Sequence, residues 1–301
     1  MENEKNAVLV DGSSFIYRAF YASPELTYEG RSVGAVYGFC SILISLMNNH
    51  RSDLFAVVLD SGRDTFRSEI YPEYKANRSA TPEALRDQFP LIKEACLAFG
   101  LPIIKQQGFE ADDLIASYSH QLSNNGYKVK IIGIDKDLVQ LMSDNITIFD
   151  PIKSKTIQFT DVVEKYGVLP SQMVYFQALV GDSSDNIPGV EGIGPVTASK
   201  LIKEYQTLDG IYKNIEKISS NKIKEKLKNH KNNAELSLKL ATLDRNIKIC
   251  ENFHEINIKY NHDNAVNFLS SLGFDLLIKR INKSSFFYQE NKNTSLIFNQ
   301  I

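Results

Sequence analysis

The chain has 301 residues, of which 43% are hydrophobic and 23% charged, and its formal net charge at pH 7 is −2. These values are ordinary for a folded globular protein, and the length suits one large domain or one domain with a smaller companion. No run of 18 apolar residues is present, so the sequence predicts no membrane-spanning helix. The N-terminus, MENEKNAVLVDG, carries acids and a strand-like segment instead of the basic and apolar regions of a signal peptide.

The cysteines and histidines offer no metal site. Cys40, Cys96 and Cys250 are odd in number and far apart, and the five histidines form no pair at ligand spacing. We expect the cysteines to be buried thiols in a reducing cytosol. The sequence therefore predicts a cytoplasmic protein.

Three short apolar segments that end in aspartate predict buried strands. They are NAVLVD (6–11), LFAVVLD (54–60) and VKIIGID (129–135). Rich in Val, Ile and Leu without clean alternation, they suit strands buried on both faces of a parallel sheet. Helical patterns cover residues 34–49, 81–99 and 110–123. The alternation predicts an α/β fold with a mainly parallel central sheet flanked by helices.

Carboxylates collect at the predicted carboxyl edge of this sheet. A single aspartate after a strand is usually a turn residue or a helix cap, but ligands of open α/β sheets bind at this edge. The segment FEADDLIA (109–116) adds three acids at the head of a helix, and later acids follow at D-x-D and D-x-x-D spacing. The candidates are Asp11, Asp60, Glu110, Asp112, Asp113, Asp135, Asp137, Asp182 and Asp185.

So many like charges disfavour folding unless positive charge lies among them. Acids at a helix start gain about 0.3–1 kcal/mol each from the helix dipole, which is an alternative explanation for FEADD alone. It does not explain acids from five segments at one edge. Carboxylates without His or Cys predict Mg²⁺ or Mn²⁺ instead of zinc. Two such ions about 4 Å apart promote phosphodiester hydrolysis, so we predict two Mg²⁺ ions for which Mn²⁺ can substitute.

Two segments concentrate positive charge. Residues 63–78 (RDTFRSEIYPEYKANR) combine cations with aromatic rings directly after a strand-end aspartate. They are either a solvated surface loop or a flexible lid that brings cations and rings to a charged substrate. Residues 200–231 hold nine lysines against four acids. Such segregation lets a chain of low net charge bind a polyanion.

A glycine hairpin precedes the lysine-rich segment. Within GDSSDNIPGVEGIGPVTASKLIKEY (181–205), Gly192-Ile193-Gly194 separates a short turn from an amphipathic helix that begins near Pro195. Without a Cβ, backbone N–H groups can approach a phosphate closely, and such contacts are not sequence-specific. An ordinary tight turn gives the same pattern, but the neighbouring lysines favour a nucleic-acid contact. Farther on, the sequence predicts helices, a strand-like run near 253–259 and a polar tail from 284.

The ordered motifs DGSSFIYRAF, LDSGRDTFR, YKANR, GFEADDLIA, IDKDLVQL and GDSSDNIPGVEGIGPVTASKL closely resemble the 5′-nuclease domain of bacterial DNA polymerase I and the related flap endonucleases, over about residues 6–280. The resemblance implies Mg²⁺-dependent 5′→3′ exonuclease and structure-specific 5′-flap activity. It implies a PIN-like α/β core at 1–175 with a helical arch at about 63–80. A helix–three-turn–helix (helix-hairpin-helix-type) DNA-binding region at 176–283 and a polar tail at 284–301 complete the expected organisation.

The resemblance also implies roles for individual residues. One metal ion would be held mainly by Asp11, Asp60, Glu110 and Asp112. The second would be held or oriented by Asp113, Asp135, Asp137, Asp182 and Asp185. Stacking on the substrate and stabilising charge on the scissile phosphate would be the roles of Tyr74, Lys75 and Arg78, and Arg18 would be a basic residue near that phosphate. DNA contacts are expected from Gly192, Gly194, Lys200 and Arg67. A K⁺ ion would bind the backbone carbonyls of Leu179, Val180, Pro188, Val190 and Ile193.

The expected partner is double-stranded DNA with a free 5′ end, nick or flap. No polymerase sequence follows residue 301, so we expect a stand-alone nuclease that works with a separate DNA polymerase and ligase. By default we expect a monomer. A compact PIN-type RNase would have fewer acids and no glycine hairpin. A HAD-type phosphatase would need Asp-x-Asp where this chain has Asp11-Gly12-Ser13. A non-catalytic duplex-DNA-binding protein of the same fold remains the alternative.

Overall fold

The computed structural model describes residues 4–23, 25–249, 252–284 and 286–287. Its main sheet has six strands in the order β5-β4-β1-β6-β7-β8, and a separate hairpin pairs β2 with β3. In chain order the strands are β1 (Lys5–Asp11), β2 (Thr27–Tyr28), β3 (Arg31–Ser32), β4 (Leu54–Val58), β5 (Ile103–Ile104), β6 (Tyr127–Ile132), β7 (Ile146–Asp150) and β8 (Lys155–Ile157).

The sheet is parallel from β5 to β7, and only the edge strand β8 runs antiparallel to its neighbour. The central strand β1 pairs with β4 on one side and β6 on the other, so Val10 lies between Val57 and Ile132. The predicted mainly parallel α/β sheet is confirmed. Because β4 and β6 end at Val58 and Ile132, the acids that follow them lie in loops at the carboxyl edge.

Helices cover both faces of the sheet. They are α1 (Gly12–Ala22), α2 (Gly34–Asn49), α3 (Phe66–Ile70), α4 (Glu83–Arg86), α5 (Phe89–Ala98), α6 (Ala111–Asn124), α7 (Phe159–Tyr166), α8 (Met173–Val180), α9 (Pro195–Tyr205), α10 (Leu208–Lys213), α11 (Asn221–Asn229), α12 (Lys231–Ala241), α13 (His262–Ser271) and α14 (Asp275–Lys283). The helix predicted over 81–99 is two helices, α4 and α5. Pro90 explains the break, because a residue without N–H fits the first turn of a helix but not its interior.

Alternate residues of β1 enter two different apolar clusters. Leu9 belongs to a cluster that contains α6, α8 and α9, whereas Val10 belongs to one that contains α1, α2 and α5. This is the period-2 alternation of a strand buried on both faces. The first cluster extends without a break from the sheet into the helical region after residue 173. The sheet edge and the helical region are therefore held together by one core.

The predicted buried thiols are confirmed for Cys40 and Cys96, which are free and fully buried; Cys250 lies outside the described residues. Among the described helices, none is long and apolar enough to cross a membrane.

Two predictions for the C-terminal region are wrong. The run near 253–259 is not a strand: it contains a 3₁₀ helix, Phe253–Ile256, and its apolar side chains pack against the two core clusters instead of joining a ladder. The polar tail does not begin at 284, because Phe287 is 0% exposed and its ring packs against Phe99 and Tyr260. The rest of that predicted tail, residues 288–301, lies outside the described residues.

Candidate metal and nucleic-acid site

The acids at the carboxyl edge form two overlapping groups. Carboxylate oxygens of Asp112, Asp135 and Asp137 lie within 4.8 Å of one another, and so do those of Asp137, Asp182 and Asp185. Asp137 belongs to both groups, so a single carboxylate is shared between two positions at which a cation could bind. Asp11 is close enough for its charge to act on Asp112 and Asp135.

Hydrogen bonds fix Asp11, at the end of β1, and Asp60, just after β4. Asp11 caps α1, and its carboxylate accepts the N–H of Ser14 at 3.2 Å and the Ser14 hydroxyl. The N–H of Asp60 donates to Ser13 Oγ at 2.8 Å, and the Asp60 carboxylate accepts the N–H of Ala111 at 2.8 Å. Two strand ends and the start of α6 are thereby tied together. Sequence analysis missed both serines, whose signal was their position directly after a strand-end aspartate.

The three acids at the start of α6 have different roles: Glu110 and Asp113 cap the helix, whereas Asp112 belongs to an acidic group. Glu110 is the N-cap, and Asp113 accepts the Glu110 N–H at 3.4 Å in a reciprocal capping box. Asp113 is 0% exposed and receives Arg67 on both oxygens, at 2.5 and 2.8 Å, and the N–H of Asp244 at 3.0 Å. Protein donors saturate the Asp113 carboxylate and leave no oxygen lone pair for a metal ion. Its predicted role in orienting the second ion stays a prediction.

Arg67 is a buried structural residue. It is 1% exposed and, besides Asp113, it donates to Glu110 at 3.3 Å and to the carbonyls of Leu240 and Thr242 at 2.7 and 3.1 Å. The prediction that Arg67 contacts DNA is wrong, because no surface of its guanidinium is open to a ligand. The residue instead joins the 63–80 segment to α6 and to the end of α12.

The 63–80 segment lies on the loop that carries Asp182 and Asp185. Only α3 within it is helical. The contacts are mostly to backbone: Asn77 Nδ2 donates to Ser183 O at 2.6 Å, and Asn186 Nδ2 donates to Glu73 O at 2.7 Å. Lys75 has φ +55°, a left-handed conformation that is unfavourable for a lysine. Its N–H donates to Asp185 O at 2.9 Å, which holds this conformation in place.

Three side chains of this segment, all predicted to act on the substrate, contact acids at the carboxyl edge of the sheet. Lys75 Nζ lies 2.6 Å from Glu110 and 3.6 Å from Asp185, and the Tyr74 hydroxyl donates to Glu110 at 3.0 Å. Arg78 forms an ion pair with Asp185. Burial alone would lower the pKa of Lys75, but the charges of Glu110 and Asp185 raise it, so its ammonium stays protonated.

Asp11, Asp112 and Asp137 have no ion-pair partner among the described residues. Burial raises the pKa of Asp11 to about 7 and that of Asp137 to about 7, with the charge of Asp135 adding to both. Burial and the surrounding carboxylates raise the pKa of Asp112 well above its ordinary value. By contrast, burial of Asp182 is outweighed by hydrogen bonds from Lys136 and Ser184, which lower its pKa. The uncompensated negative charge therefore centres on the group that contains Asp112, Asp135 and Asp137.

The chemistry of this group fits hard divalent cations. All its donors are carboxylate oxygens, the ligands preferred by Mg²⁺ and Mn²⁺. Gln177 Nε2 donates to Asp137, while the buried Gln177 Oε1 has no partner among the described residues. A cation's water shell would supply the missing donor, because inner-shell waters donate to nearby oxygens.

Without metal, the stability of this site should fall as pH rises. Asp11 and Asp137 have folded-state pKa values of about 7 against an ordinary 3.8, so between these values the folded protein binds more protons than the unfolded chain. Their contribution is fully present below 3.8 and is lost as pH rises through about 7. In EDTA, we expect Tm to decrease from about pH 5 to about pH 8, and Mg²⁺ to raise Tm most at the higher pH. A Tm in EDTA that is flat or rises over this range contradicts the raised pKa values.

The glycine hairpin is defined by a short backbone ladder. Gly181 and Gly189 approach each other so closely that a Cβ on Gly189 would lie 2.4 Å from Gly181 N. The Leu179 carbonyl accepts the N–H of Val190 at 2.8 Å, and the Val190 carbonyl accepts the N–H of Ile193 at 3.0 Å. These carbonyls belong to the predicted K⁺ set, which stays a prediction.

The predicted DNA-binding residues have different environments. Gly194 caps α9, and no atom beyond its neighbours in the chain lies within 4 Å of the place of its missing Cβ, so the hairpin is open there. At Gly192 that place is filled by Lys226. Lys200 is exposed on α9, and Arg18 is exposed on α1, where no described residue pairs with it. These positions leave Gly194, Lys200 and Arg18 accessible to a ligand.

A parallel sheet with a carboxylate-lined edge, joined through one core to a helical hairpin region, defines the resolvase-like class of metal-dependent nucleases. A model of the 5′-3′ exonuclease N-terminal resolvase-like domain matches residues 6–167, and a model of the 5′-3′ exonuclease C-terminal SAM fold matches residues 168–264. The chain belongs to the 5′-3′ exonuclease family. This membership argues against the compact RNase and the phosphatase.

Relatives occur both as separate proteins and as part of a longer one. The chain is 38% identical to a 5′-3′ exonuclease of Aquifex aeolicus, over 93% of this chain and 96% of that protein. It is 42% identical to DNA polymerase I of Rhizobium leguminosarum, over 93% of this chain but 29% of that protein. The chain thus spans about a third of the length of such polymerases. For DNA polymerase I of Caldicellulosiruptor bescii the share is 33%.

Solved structures share the fold. T5 5′-exonuclease with bound zinc superposes with a TM-score of 0.66 at 25% identity, over 96% of this chain and 99% of that one. The catalytic core of Rad2 in complex with a DNA substrate gives a TM-score of 0.61 at 18% identity, over 93% and 92% of the two chains. The second likeness supports the fold alone.

Proposed function

We propose that this protein is a Mg²⁺-dependent 5′→3′ exonuclease and 5′-flap endonuclease. Its substrate would be double-stranded DNA with a free 5′ end, nick or flap, cleaved to 5′-phosphate products during primer removal and repair. The observation that carries the proposal is the acidic group at the sheet edge, which protein cations leave uncompensated while Lys75 and Arg78 lie beside it. The Asp137 carboxylate shared by two groups supports a pair of ions.

The acids would hold the ions, with Asp137 contributing to both positions and Asp11, Asp60, Glu110, Asp112, Asp135, Asp182 and Asp185 around them. Bound there, two Mg²⁺ ions, or Mn²⁺ in their place, supply the positive charge that activates the attacking water and stabilises the leaving oxygen. Asp135 is itself fixed for this task, because its side chain accepts the N–H of Asp137 at 2.9 Å.

The 63–80 segment would position the scissile phosphate. Lys75 and Arg78 lie at the same edge as the acids, and their ammonium and guanidinium groups can exchange a carboxylate for a phosphate oxygen. The Tyr74 ring, 4.9 Å from Lys75 Nζ, keeps the ammonium above an aromatic face. Arg18, exposed and unpaired among the described residues, would add positive charge on the α1 side.

The hairpin region would bind the duplex through its backbone, with Gly194 and Lys200 at the open side of α9. Such contacts fix the position on DNA without reading its sequence. A K⁺ ion on the hairpin carbonyls and a monomeric, cytosolic state are part of the same proposal. A separate polymerase and ligase would fill and seal the gap.

The decisive experiment uses a 5′-labelled flap duplex, a nicked duplex and the matching single strand, each with Mg²⁺ or with EDTA. Metal-dependent release of short 5′-phosphate products, mainly from the duplex substrates, supports the proposal and ranks exonuclease against flap cutting. Tight duplex binding without cleavage in Mg²⁺ or Mn²⁺ supports instead the non-catalytic DNA-binding protein. Absence of both cleavage and binding overturns both.

Replacing Lys75 should slow cleavage without preventing duplex binding. We expect Lys75→Met to lower the single-turnover rate on the flap substrate by about 10²–10³-fold, as is typical when one electrostatic donor to the transition state is removed. Lys75→Arg, which keeps the charge, should recover part of the rate. Lys93→Met, an exposed lysine on α5, is the matched control. An unchanged rate in Lys75→Met removes Lys75 from the catalytic assignment.

A further inference from the structure

One lysine of α11 is built into the glycine hairpin. Lys226 Nζ donates to the Gly192 carbonyl at 2.8 Å. Gly192 has φ +75°, and a Cβ on it would lie 2.0 Å from Lys226 Nζ and 2.8 Å from Cε. Glycine at this position therefore does more than provide a tight turn: it makes the space in which the ammonium reaches the hairpin. Gly192 and Lys226 form a matched pair.

The charge of Lys226 is not cancelled there. On the same helix, Lys224 and Lys228 are paired with Glu216 at 3.3 and 2.5 Å. Among the described residues, no carboxylate lies within ion-pair distance of Lys226, whose partner is a neutral carbonyl. Glu191, next to Gly192 in sequence, is 86% exposed and lies 3.8 Å from His230.

The ammonium also has donors to spare. A lysine ammonium has three N–H donors, and the Gly192 carbonyl uses one of those of Lys226. Lys226 is only partly buried, so its remaining donors can reach solvent. Two residues after Gly192, Gly194 leaves the start of α9 open, with no atom beyond its chain neighbours within 4 Å of the place of its missing Cβ. A full positive charge thus accompanies the open backbone of the hairpin.

We propose that Lys226 is the cation of the hairpin's phosphate contact: its ammonium bridges the Gly192 carbonyl and a phosphate oxygen of the duplex backbone. This inference rests on the proposed function, because it assumes that the hairpin binds duplex DNA. It assigns Gly192 a different role from Gly194. Gly192 admits the lysine, whereas Gly194 leaves room for the phosphate.

The test is the salt dependence of duplex binding. Fluorescence anisotropy with a labelled 5′-flap duplex, in Ca²⁺ to prevent cleavage, gives Kd over a series of KCl concentrations. Each phosphate contact contributes about 0.9 to the slope of log K against log salt. Lys226→Met should therefore reduce the slope by about 0.9 and weaken binding by roughly 8-fold at about 0.1 M salt. Lys226→Arg should keep most of the slope.

Lys228→Met is the matched control, because Lys228 lies on the same helix but is paired with Glu216; its slope should stay close to that of the unmodified protein. A Lys226→Met protein with an unchanged slope overturns the inference, even if its affinity falls, since the loss of an ammonium–phosphate contact must reduce the slope. An equal reduction of the slope in Lys226→Met and in Lys226→Arg also overturns the inference. An unmodified protein that does not bind duplex DNA overturns the proposed function itself.

Discussion

Asp137→Asn should reduce metal-dependent cleavage of the flap duplex by about 10³-fold or more. Asp137 is the carboxylate common to both acidic groups, so under the proposed function its loss weakens both of the proposed cation positions at once. Metal ions contribute several kcal/mol to such transition states, and about 4 kcal/mol corresponds to 10³-fold in rate. Single-turnover rates at saturating Mg²⁺ measure the effect. Cleavage within a few fold of the unmodified protein contradicts the shared-ligand assignment.

Although it slows cleavage, Asp137→Asn should make the metal-free protein more stable. Asp137 is surrounded by like charges, and burial together with Asp135 raises its pKa to about 7. An uncharged Asn removes this repulsion, so Tm in EDTA at about pH 8 should rise while the Mg²⁺-induced increase in Tm shrinks. Asp144→Asn, an exposed acid just before β7 at the other edge of the sheet, is the control. It should change neither cleavage nor the response to Mg²⁺.

Arg67→Met should destabilise the protein by about 3–5 kcal/mol, which is the cost of leaving one partner of a buried ion pair uncompensated. Arg67 and Asp113 are 1% and 0% exposed, and the guanidinium also satisfies the carbonyls of Leu240 and Thr242. Denaturant unfolding measures the change in the free energy of unfolding. Arg63→Met, which removes a nearby exposed arginine, should stay within about 0.5 kcal/mol.

A second variant separates the buried charge from the lost packing. Arg67→Met combined with Asp113→Asn removes the uncompensated carboxylate while keeping one acceptor oxygen, for either the Glu110 or the Asp244 N–H group. We expect the double variant to be more stable than Arg67→Met alone. If Arg67→Met instead unfolds like the unmodified protein and loses duplex affinity, Arg67 is a DNA contact after all, and its buried position does not hold in solution.

The sequence by itself determined the fold class and the place of the acids. Apolar runs that end at Asp11 and near Asp60 and Asp135 are local patterns, and parallel strands bring their carboxyl ends to one edge by geometry alone. Helix caps are local too, so the start of α6 within one residue of Glu110 followed from FEADD. Sequence patterns predicted the structure correctly wherever the interacting residues are neighbours in the chain.

Only the tertiary structure decided which of these charges are already compensated. Asp113 and Asp112 are adjacent, yet one is saturated by Arg67 and the other is among the uncompensated acids. That difference depends on Arg67, 46 residues from Asp113, and on the carbonyl of Leu240, 173 residues from Arg67. Such partners meet through packing, and a local pattern carries no information about them. For the same reason the glycine of the hairpin could be recognised from sequence, whereas the lysine that fills its space could not.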